Sequence, residues 1–392
     1  MVLRNEELIE DVKGDLEHLV AIRHDLHTHP EIGLEEIRTS EIVAKELQSL
    51  GYQVHRGLAK TGVVATLKAG SSSRSLGIRA DIDALPIHEA TGLAYASTTP
   101  GKMHACGHDG HTTMLLGAAR QIARRRNFDG TLHLIFQPAE ENFGGARMMI
   151  EEGLFKLFPC DAVFGAHNEP GIPVGQFGFR EGPLMAAAHQ VDITIQGKGG
   201  HGAMPEQTVD PIVVGASLVM ALQTVVARNV GPHTPAVVTV GCLKAGAVSN
   251  VIPDTALLEL SVRHLDKETG ILLRRRIDEL AKGQAASFGA SATVVWSNGY
   301  PVTVNEAKST RFARETAISL LGDSNVYQIE KPFLGSEDFS FMLEEVPGSY
   351  LMMGNGEDCA PLHNPCYNFN DAAIAPGAAY WTALTESYLK SA

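Results

Sequence analysis

The stretch MHACGHDGH, residues 103–111, places three histidines, a cysteine and an aspartate in nine positions. Gly107 and Gly110 let its backbone bend. Behind it, Thr112 to Arg126 carries Met114, Leu115, Ala118, Ala119, Ile122 and Ala123 at helical spacing. Cys106 and His108 therefore sit in a turn that feeds a helix N-terminus. The partial positive charge there favours a thiolate over a thiol. A thiolate and an imidazole so placed read as two ligands of a metal site.

Working outward from this stretch, residues 4–29 read as one helix with Leu8, Val12, Leu16, Leu19, Val20, Ile22 and Leu26 on its apolar face. A second helix covers 34–50 and stops at Gly51. Strand-like runs follow at 53–55, 63–68 and 76–80, the last ending at Asp81-Ile82-Asp83. On the other side, 131–137 reads as a strand that ends at Pro138-Ala139-Glu140-Glu141, a helix covers 145–152, and the short strand 161–166 ends at His167. Near the C-terminus come a strand at 349–353, a loop carrying His363, and a helix at 375–389. Asp81, Glu140, Glu141 and His167 each fall just past the carboxyl end of a strand, where α/β sheets gather their ligands. The expected fold class is α/β, an open mixed sheet flanked by helices.

Between 187 and 298 the pattern changes to strand 189–196, helix 209–228, strands 236–243 and 255–264, helix 267–288 and strand 291–297. That β-α-β-β-α-β order is ferredoxin-like. It reads as an inserted α+β domain at 187–298, which leaves 1–186 and 299–392 to the metal-binding domain.

The 392 residues, 44% hydrophobic and 20% charged, suit a globular enzyme. A net charge of −13, with basic triplets only at 124–126 and 274–276 on helix faces, argues against nucleic acid. No apolar leader is visible at the N-terminus. The apolar run Ile212–Ala227 is shorter than a membrane span and reads as a buried helix. Five irregularly spaced cysteines suggest no disulfide framework, so a cytoplasmic location is expected. Cys160, Cys242, Cys359 and Cys366 read as packing or incidental thiols.

Cys106, His108, Glu141, His167 and His363 form a thiolate, imidazole and carboxylate set that suits zinc, manganese, cobalt or nickel. Glu140 and Glu141, adjacent on an extended segment, would point opposite ways. One could ligate a metal while the other takes a proton from an activated water; a solvated acidic pair at a helix start fits the local sequence equally. Gly197–Gly202 fits G-x-G-x-x-G. Pro205 interrupts the helix a dinucleotide site needs, and no acidic residue lies about twenty positions on. The loop more plausibly carries His201 to a site mouth. His24, His27 and His29 read as structural or surface residues. His104 and His111 read as hydrogen-bonding neighbours of the ligands, with Asp81, Asp83 and Asp109 orienting them.

Together the motifs resemble the zinc aminoacylase and carboxypeptidase family of metallohydrolases, in its hippurate hydrolase and auxin-conjugate amidohydrolase branch. The matching pieces are LHTHPEIGLEE (26–36), IRADIDALP (78–86), MHACGHDGH (103–111), QPAEE (137–141), GAHNEPGIPVG (165–175), GKGGHGAMP (197–205), NVIPD (250–254), GSEDF (335–339) and PLHNP (361–365). The resemblance implies a di-metal, aminopeptidase-like catalytic domain with a smaller lid domain that makes a homodimer or higher homo-oligomer. It implies two divalent ions held by Cys106, His108, Glu141, His167 and His363, with Cys106 shared between them. It gives Glu140 the general-base role. It makes His201, from the partner's lid, the stabiliser of the oxyanion. Asn250 and the backbone at Gly335 would hold the substrate carboxylate. Against the carboxypeptidase branch, Arg79-Ala80-Asp81 stands where that branch has His-x-Asp, and Cys106 stands for its bridging aspartate.

The implied reaction is hydrolysis of the amide bond of an N-acyl-amino acid. The alternatives are a dipeptidase or carboxypeptidase with the same metal site, a binding protein that has lost turnover, and, more distantly, a nucleotide-binding oxidoreductase.

Overall fold

The computed structural model describes residues 5–390; residue 4, the expected start of the first helix, and the leader reading of residues 1–4 lie outside them. The described chain forms two compact units. The first holds the residues up to 184, 304–331 and those from 338 on; the second holds 185–303 and 332–337. The segment 332–337, expected with the first unit, thus packs with the second and takes Gly335 with it.

The first unit opens with α1 (Asn5–Lys13), α2 (Leu16–Thr28), α3 (Ile37–Ser49), β1 (Gln53–Leu58), β2 (Gly62–Ala69) and β3 (Ser75–Asp81). It continues with α4 (His108–Arg125), β4 (Gly130–Gln137), α5 (Gly145–Glu151), α6 (Leu154–Leu157), β5 (Ala162–Glu169) and β6 (Phe177–Phe179). After β7 (Gly182–Met185) the second unit runs through β8 (Ala187–Gln196), β9 (Gly200–His201), α7 (Pro211–Asn229), β10 (Ala236–Ala245), β11 (Val251–Ile252), β12 (Thr255–His264), α8 (Lys267–Ser287) and β13 (Ser291–Trp296). The chain returns through β14 (Thr303–Asn305) to α9 (Ala307–Leu321), β15 (Val326–Gln328), α10 (Phe339–Glu345), β16 (Gly348–Gly354) and α11 (Ile374–Tyr388).

The large sheet has the order β1-β2-β4-β3-β5-β16-β6-β15. It is mixed. β4, β3, β5 and β16 run parallel at its centre, and antiparallel pairs join β1 to β2, β2 to β4 and β16 to β6. Every residue of β3 and β16 is buried, as strands covered on both faces must be. Phe164 of β5 meets Phe312 of α9 and Tyr388 of α11, while a Cβ on the next residue, Gly165, would touch Tyr350 and then Phe339 of α10. Successive strand residues face opposite ways, so α9 and α11 cover one face and α10 the other. Leu19, Leu26, Leu115 and Leu384 fill the layer around α4 and α11; each such side chain contributes about 1.5–3 kcal/mol on burial.

Two expectations change. The single helix at 4–29 is two, because Gly14 interrupts it. The Asp15 amide turns back to Val12 O at 2.9 Å, and Asp15 O accepts from Leu19 to start α2. The periodicity runs through the break because both pieces bury an apolar stripe, Leu8 and Val12 in one, Leu19 and Leu26 in the other. β5 also runs to Glu169, so His167 lies on the strand, paired with Met352 of β16, rather than beyond its end.

In the second unit an antiparallel sheet of order β10-β12-β8-β13 packs against α7 and α8, the split βαβ arrangement. Asp210 caps α7 by accepting from Ile212 N at 2.8 Å, with Pro211 in the first turn. The expected buried helix is buried on one face only. Val214, Leu218, Leu222 and Val225 enter the core, while Ile212, Val213 and Met220 are exposed. By length and composition alone α7 could cross a membrane.

One buried ion network ties α2 to α4. His27 is fully buried, with Nδ1 2.9 Å from Asp109 and Nε2 3.3 Å from Glu89. Arg23 donates to the same Asp109 oxygen at 3.2 Å. With a carboxylate at each ring nitrogen, His27 must donate twice and is an imidazolium. Burial alone would lower its pKa, but the bonds to Asp109 and Glu89 prevail and raise it to about 9. A raised histidine gives stability that is complete below its unfolded pKa and lost as pH climbs through the folded one. The stability of the metal-free protein toward urea is therefore expected to fall by roughly 3 kcal/mol between pH 6 and pH 9.5 from this group. His27→Gln should flatten that slope, and an unchanged slope in the variant would refute the assignment.

Candidate metal centre

Gly107 adopts φ +89° at the entry to α4, and a Cβ there would collide with Asn168 and Tyr367. This turn delivers Cys106 and His108, both buried, to the carboxyl edge of the sheet. Asp83, two residues past β3, takes His108 Nδ1 on its carbonyl at 2.9 Å and on its carboxylate at 3.1 Å. Its other carboxylate oxygen accepts the Glu141 amide at 3.0 Å. The proton of His108 therefore sits on Nδ1. Nε2 is left buried, with no hydrogen-bond partner among the described residues.

His167 donates from Nδ1 to Asn168 O at 2.7 Å, which turns Nε2 toward Cys106 Sγ at 3.3 Å. His363, in the left-handed region with φ +62°, is fixed by its amide to Ala105 O at 2.8 Å. Its Nε2 lies 3.2 Å from Glu141. The donor atoms of Cys106, His108 and His167 all lie within 4.8 Å of one another, and so do those of Cys106, Glu141 and His363. The structure thus brings all five expected ligands together, with the thiol in both groups. A mixed S, N and O donor set gathered this closely at one sheet edge fits divalent metal ions, which would take the place of the protons these groups otherwise share.

The field of the site points the same way. Burial opposes charge on His108, but Asp81 and Asp83 raise its pKa to about 10, so without metal the ring itself holds the positive charge that a bound ion would replace. Burial, with His363 and His108 acting against it, leaves Glu141 below its ordinary value. Burial, then Glu141, Glu140 and Asp81, push the Cys106 thiol well up. The thiolate expected from the helix N-terminus is therefore not favoured by the protein alone; the positive charge has to come from the metal.

Other expectations are sharpened. Glu140 and Glu141 sit in a turn, not on an extended segment, and their donor atoms lie within 4.8 Å of each other and of His108. They converge instead of diverging. His111 lies beside Asp81 and His108, but Nδ1 bonds Asp81 at 2.6 Å and Nε2 accepts the Asn168 amide at 3.1 Å, so it has no lone pair left to give. Asp81 is held by His111 and by Arg79 at 2.6 Å. His104 departs from the hydrogen-bonding role expected of it. It is buried with neither ring nitrogen partnered among the described residues, and burial lowers its pKa to about 4.

Sequence reasoning missed Asn168 and Tyr367. The Asn168 amide group donates to Cys106 O at 2.6 Å, and its oxygen accepts from the Tyr367 hydroxyl. The only signal was position: Asn168 follows His167, and Tyr367 follows His363 by four.

In the second unit, β9 and β11 form a two-stranded ribbon that pairs His201 with Val251. Gly202 N donates to Asn250 O at 2.8 Å, so His201 and Asn250 are neighbours. The G-x-G-x-x-G match is this ribbon, not a strand-to-helix turn. Gly335 O accepts from Ala186 N at 2.9 Å.

Peptidase family M20/M25/M40 matches residues 77–387 of the chain. A hippurate hydrolase from Campylobacter jejuni is 44% identical, over 97% of this chain and 98% of its own. An N-acetyl-L-cysteine deacetylase from Bacillus subtilis is 41% identical over 91% and 84%. An IAA-amino acid hydrolase from Arabidopsis thaliana is 38% identical over 95% and 85%. Among solved structures, a putative aminohydrolase from methicillin resistant Staphylococcus aureus superposes with TM-score 0.90 at 34% identity, covering 98% of this chain and all of that one. A Bacillus subtilis protein described as a dinuclear metal binding peptidase gives 0.84 at 34%, covering 96% and 99%.

Because Cys106 belongs to both donor groups, Cys106→Ser is expected to remove more bound metal than the loss of any other single ligand. Elemental analysis after loading with zinc or manganese should find fewer than half the ions of the wild type. His111→Ala should keep most of them, and a complete loss there would mean His111 is itself a ligand.

Proposed function

The chain belongs to peptidase family M20/M25/M40, and from that premise we propose that it is a metal-dependent amidohydrolase that splits N-acyl-amino acids into a carboxylic acid and a free amino acid. The observation that carries this reading is the convergence of Glu140 on the donor atoms of Glu141 and His108. It puts a carboxylate beside two of the expected metal ligands, where the base for a metal-activated water has to stand. The three enzymes compared above, named for hippurate, N-acetyl-L-cysteine and IAA-amino acids, support the substrate class.

In this reading Cys106, His108, Glu141, His167 and His363 would hold two divalent ions, Cys106 belonging to both donor groups. When bound, the ions supply Lewis acidity for the scissile carbonyl and lower the pKa of water toward ~7. Glu140 takes a proton from the attacking water as its oxygen bonds to the carbonyl carbon. It then passes that proton to the amide nitrogen, and the C–N bond breaks. His201 accepts the Ala203 amide on Nδ1 at 3.0 Å, which puts its own proton on Nε2, the state an oxyanion donor needs. Asn250 and the Gly335 backbone take the substrate carboxylate. Asp83 keeps His108 in place, and Asp81, held by Arg79 and His111, adds negative charge beside it.

Two further assignments belong to this reading. The exposed Ile212, Val213 and Met220 (72% exposed) of α7 support a homodimer built through the second unit. All five cysteines are unpaired, which supports the cytoplasm.

Hydrolysis of N-benzoylglycine by the zinc- or manganese-loaded protein, abolished by a chelator, is the expected result. Faster turnover of plain dipeptides would favour the dipeptidase alternative. Glu140→Gln should lower kcat by about 10²–10⁴-fold with metal retained, and His201→Ala by about 10²–10³-fold. Full activity in either variant removes its assignment. Light scattering should give twice the chain mass, and Met220→Asp should shift it toward the monomer.

A further inference from the structure

Glu36 is the last residue before α3, an N-cap position whose side chain would ordinarily accept from the amides of its own helix. It does not. Glu31 supplies that cap instead, accepting from Arg38 N at 3.0 Å and Thr39 N at 2.8 Å. Glu36 turns inward, wholly buried. One oxygen accepts the Ala139 amide at 2.9 Å and the other the Thr61 hydroxyl at 2.6 Å. Ala139 immediately precedes Glu140 and has φ +55°, a left-handed conformation that a residue with a Cβ rarely adopts. Its carbonyl is also tied, to Gly145 N at 3.1 Å. Gly33 packs beneath it so closely that a Cβ there would lie 2.9 Å from Ala139. The strap 31–36 meets the rest of the site as well, since Glu31 O accepts from Ala84, the neighbour of Asp83, at 2.8 Å.

We infer that Glu36 is a positioning residue for the hydrolytic step: through the Ala139 amide it fixes the kinked turn that aims Glu140. The inference rests on the general-base role proposed above for Glu140. A carboxyl buried without a bonded cation is a costly way to hold a turn for stability alone. Burial, with the field of Asp83, raises its pKa to about 7, which is the mark of that cost. What the site gains is an acceptor at one fixed point. A shift of about 1 Å in a catalytic group can cost on the order of 10²-fold in rate.

The discriminating pair is Glu36→Gln, which keeps the reach and an acceptor oxygen, and Glu36→Asp, which keeps the charge and withdraws the acceptor. With N-benzoylglycine, Glu36→Gln should stay within about 3-fold of wild-type kcat, and Glu36→Asp should fall about 10-fold or more. KM and bound metal should be unchanged in both. In the metal-free protein, hydrogen exchange at the Ala139 amide should quicken in Glu36→Asp and not in Glu36→Gln. Exchange reports the contact whatever the substrate proves to be, so failure of the substrate reading stays separate. Equal kcat in the two variants, the reverse order, loss of metal in Glu36→Asp, or unchanged exchange would each overturn the inference.

Discussion

One carboxylate, that of Asp83, fastens three separate pieces of chain. It sits two residues past β3, accepts from the His108 ring at the start of α4, and accepts from the Glu141 amide in the turn after β4. These segments are separated in sequence, and two of them, at His108 and Glu141, carry part of the donor set. A hydrogen bond to a charged acceptor contributes roughly 1.5–3 kcal/mol. Here its larger effect is geometric. It fixes which nitrogen of His108 is free, and it sets where Glu141 begins. The next shell repeats the device. Asp81 holds His111, His111 takes the Asn168 amide, and Asn168 holds Cys106 through its carbonyl.

Such a centre is poor in stability by itself. Asp81, Asp83, Glu140 and Glu141 crowd one edge of the sheet, and burial raises the cost of every negative charge there. The protein answers part of it with fixed cations. Arg79 lies between Asp81 and Asp338. Arg23 and the imidazolium of His27 flank Asp109. After burial itself, Glu141, Glu140 and Asp81 act together on Cys106, and their effect on the thiol is to hold its proton on. Bound divalent ions would add positive charge here, and their binding would be coupled to loss of the Cys106 proton.

Much of this was legible in the sequence, for a physical reason. Strand ends and a helix entry fix where side chains must gather, so Cys106, His108 and Glu141 could be singled out by place and residue type, whereas His363, in a loop, rested on residue type and motif. The helix break at Gly14 was hidden because both pieces keep the same apolar stripe. The depth to which α7 is buried was misread because composition does not say which face is covered. His104 and His111 could not be told apart in the sequence. What separates them is the Asn168 amide, which arrives from β5 and occupies one histidine while the other is left among apolar and charged neighbours. Glu36 was invisible as anything but a residue of a motif, since its partner is a backbone amide.

That last case shows where sequence reading runs out in a site of this kind. The residues that contact substrate or metal declare themselves by chemistry, because few side chains can do those jobs. The residues that aim them act through amides and carbonyls, which every residue carries. Glu140 depends on a left-handed Ala139, and Ala139 depends on an acceptor brought by a helix that starts over a hundred residues earlier. Nothing in the local sequence QPAEE encodes that kink; an alanine at φ +55° is held there by its surroundings. The sharpness of the catalytic turn is therefore a property of the packed sheet edge, and it can be lost by a change at Gly33 or Glu36 that leaves every chemical group of the site in the chain.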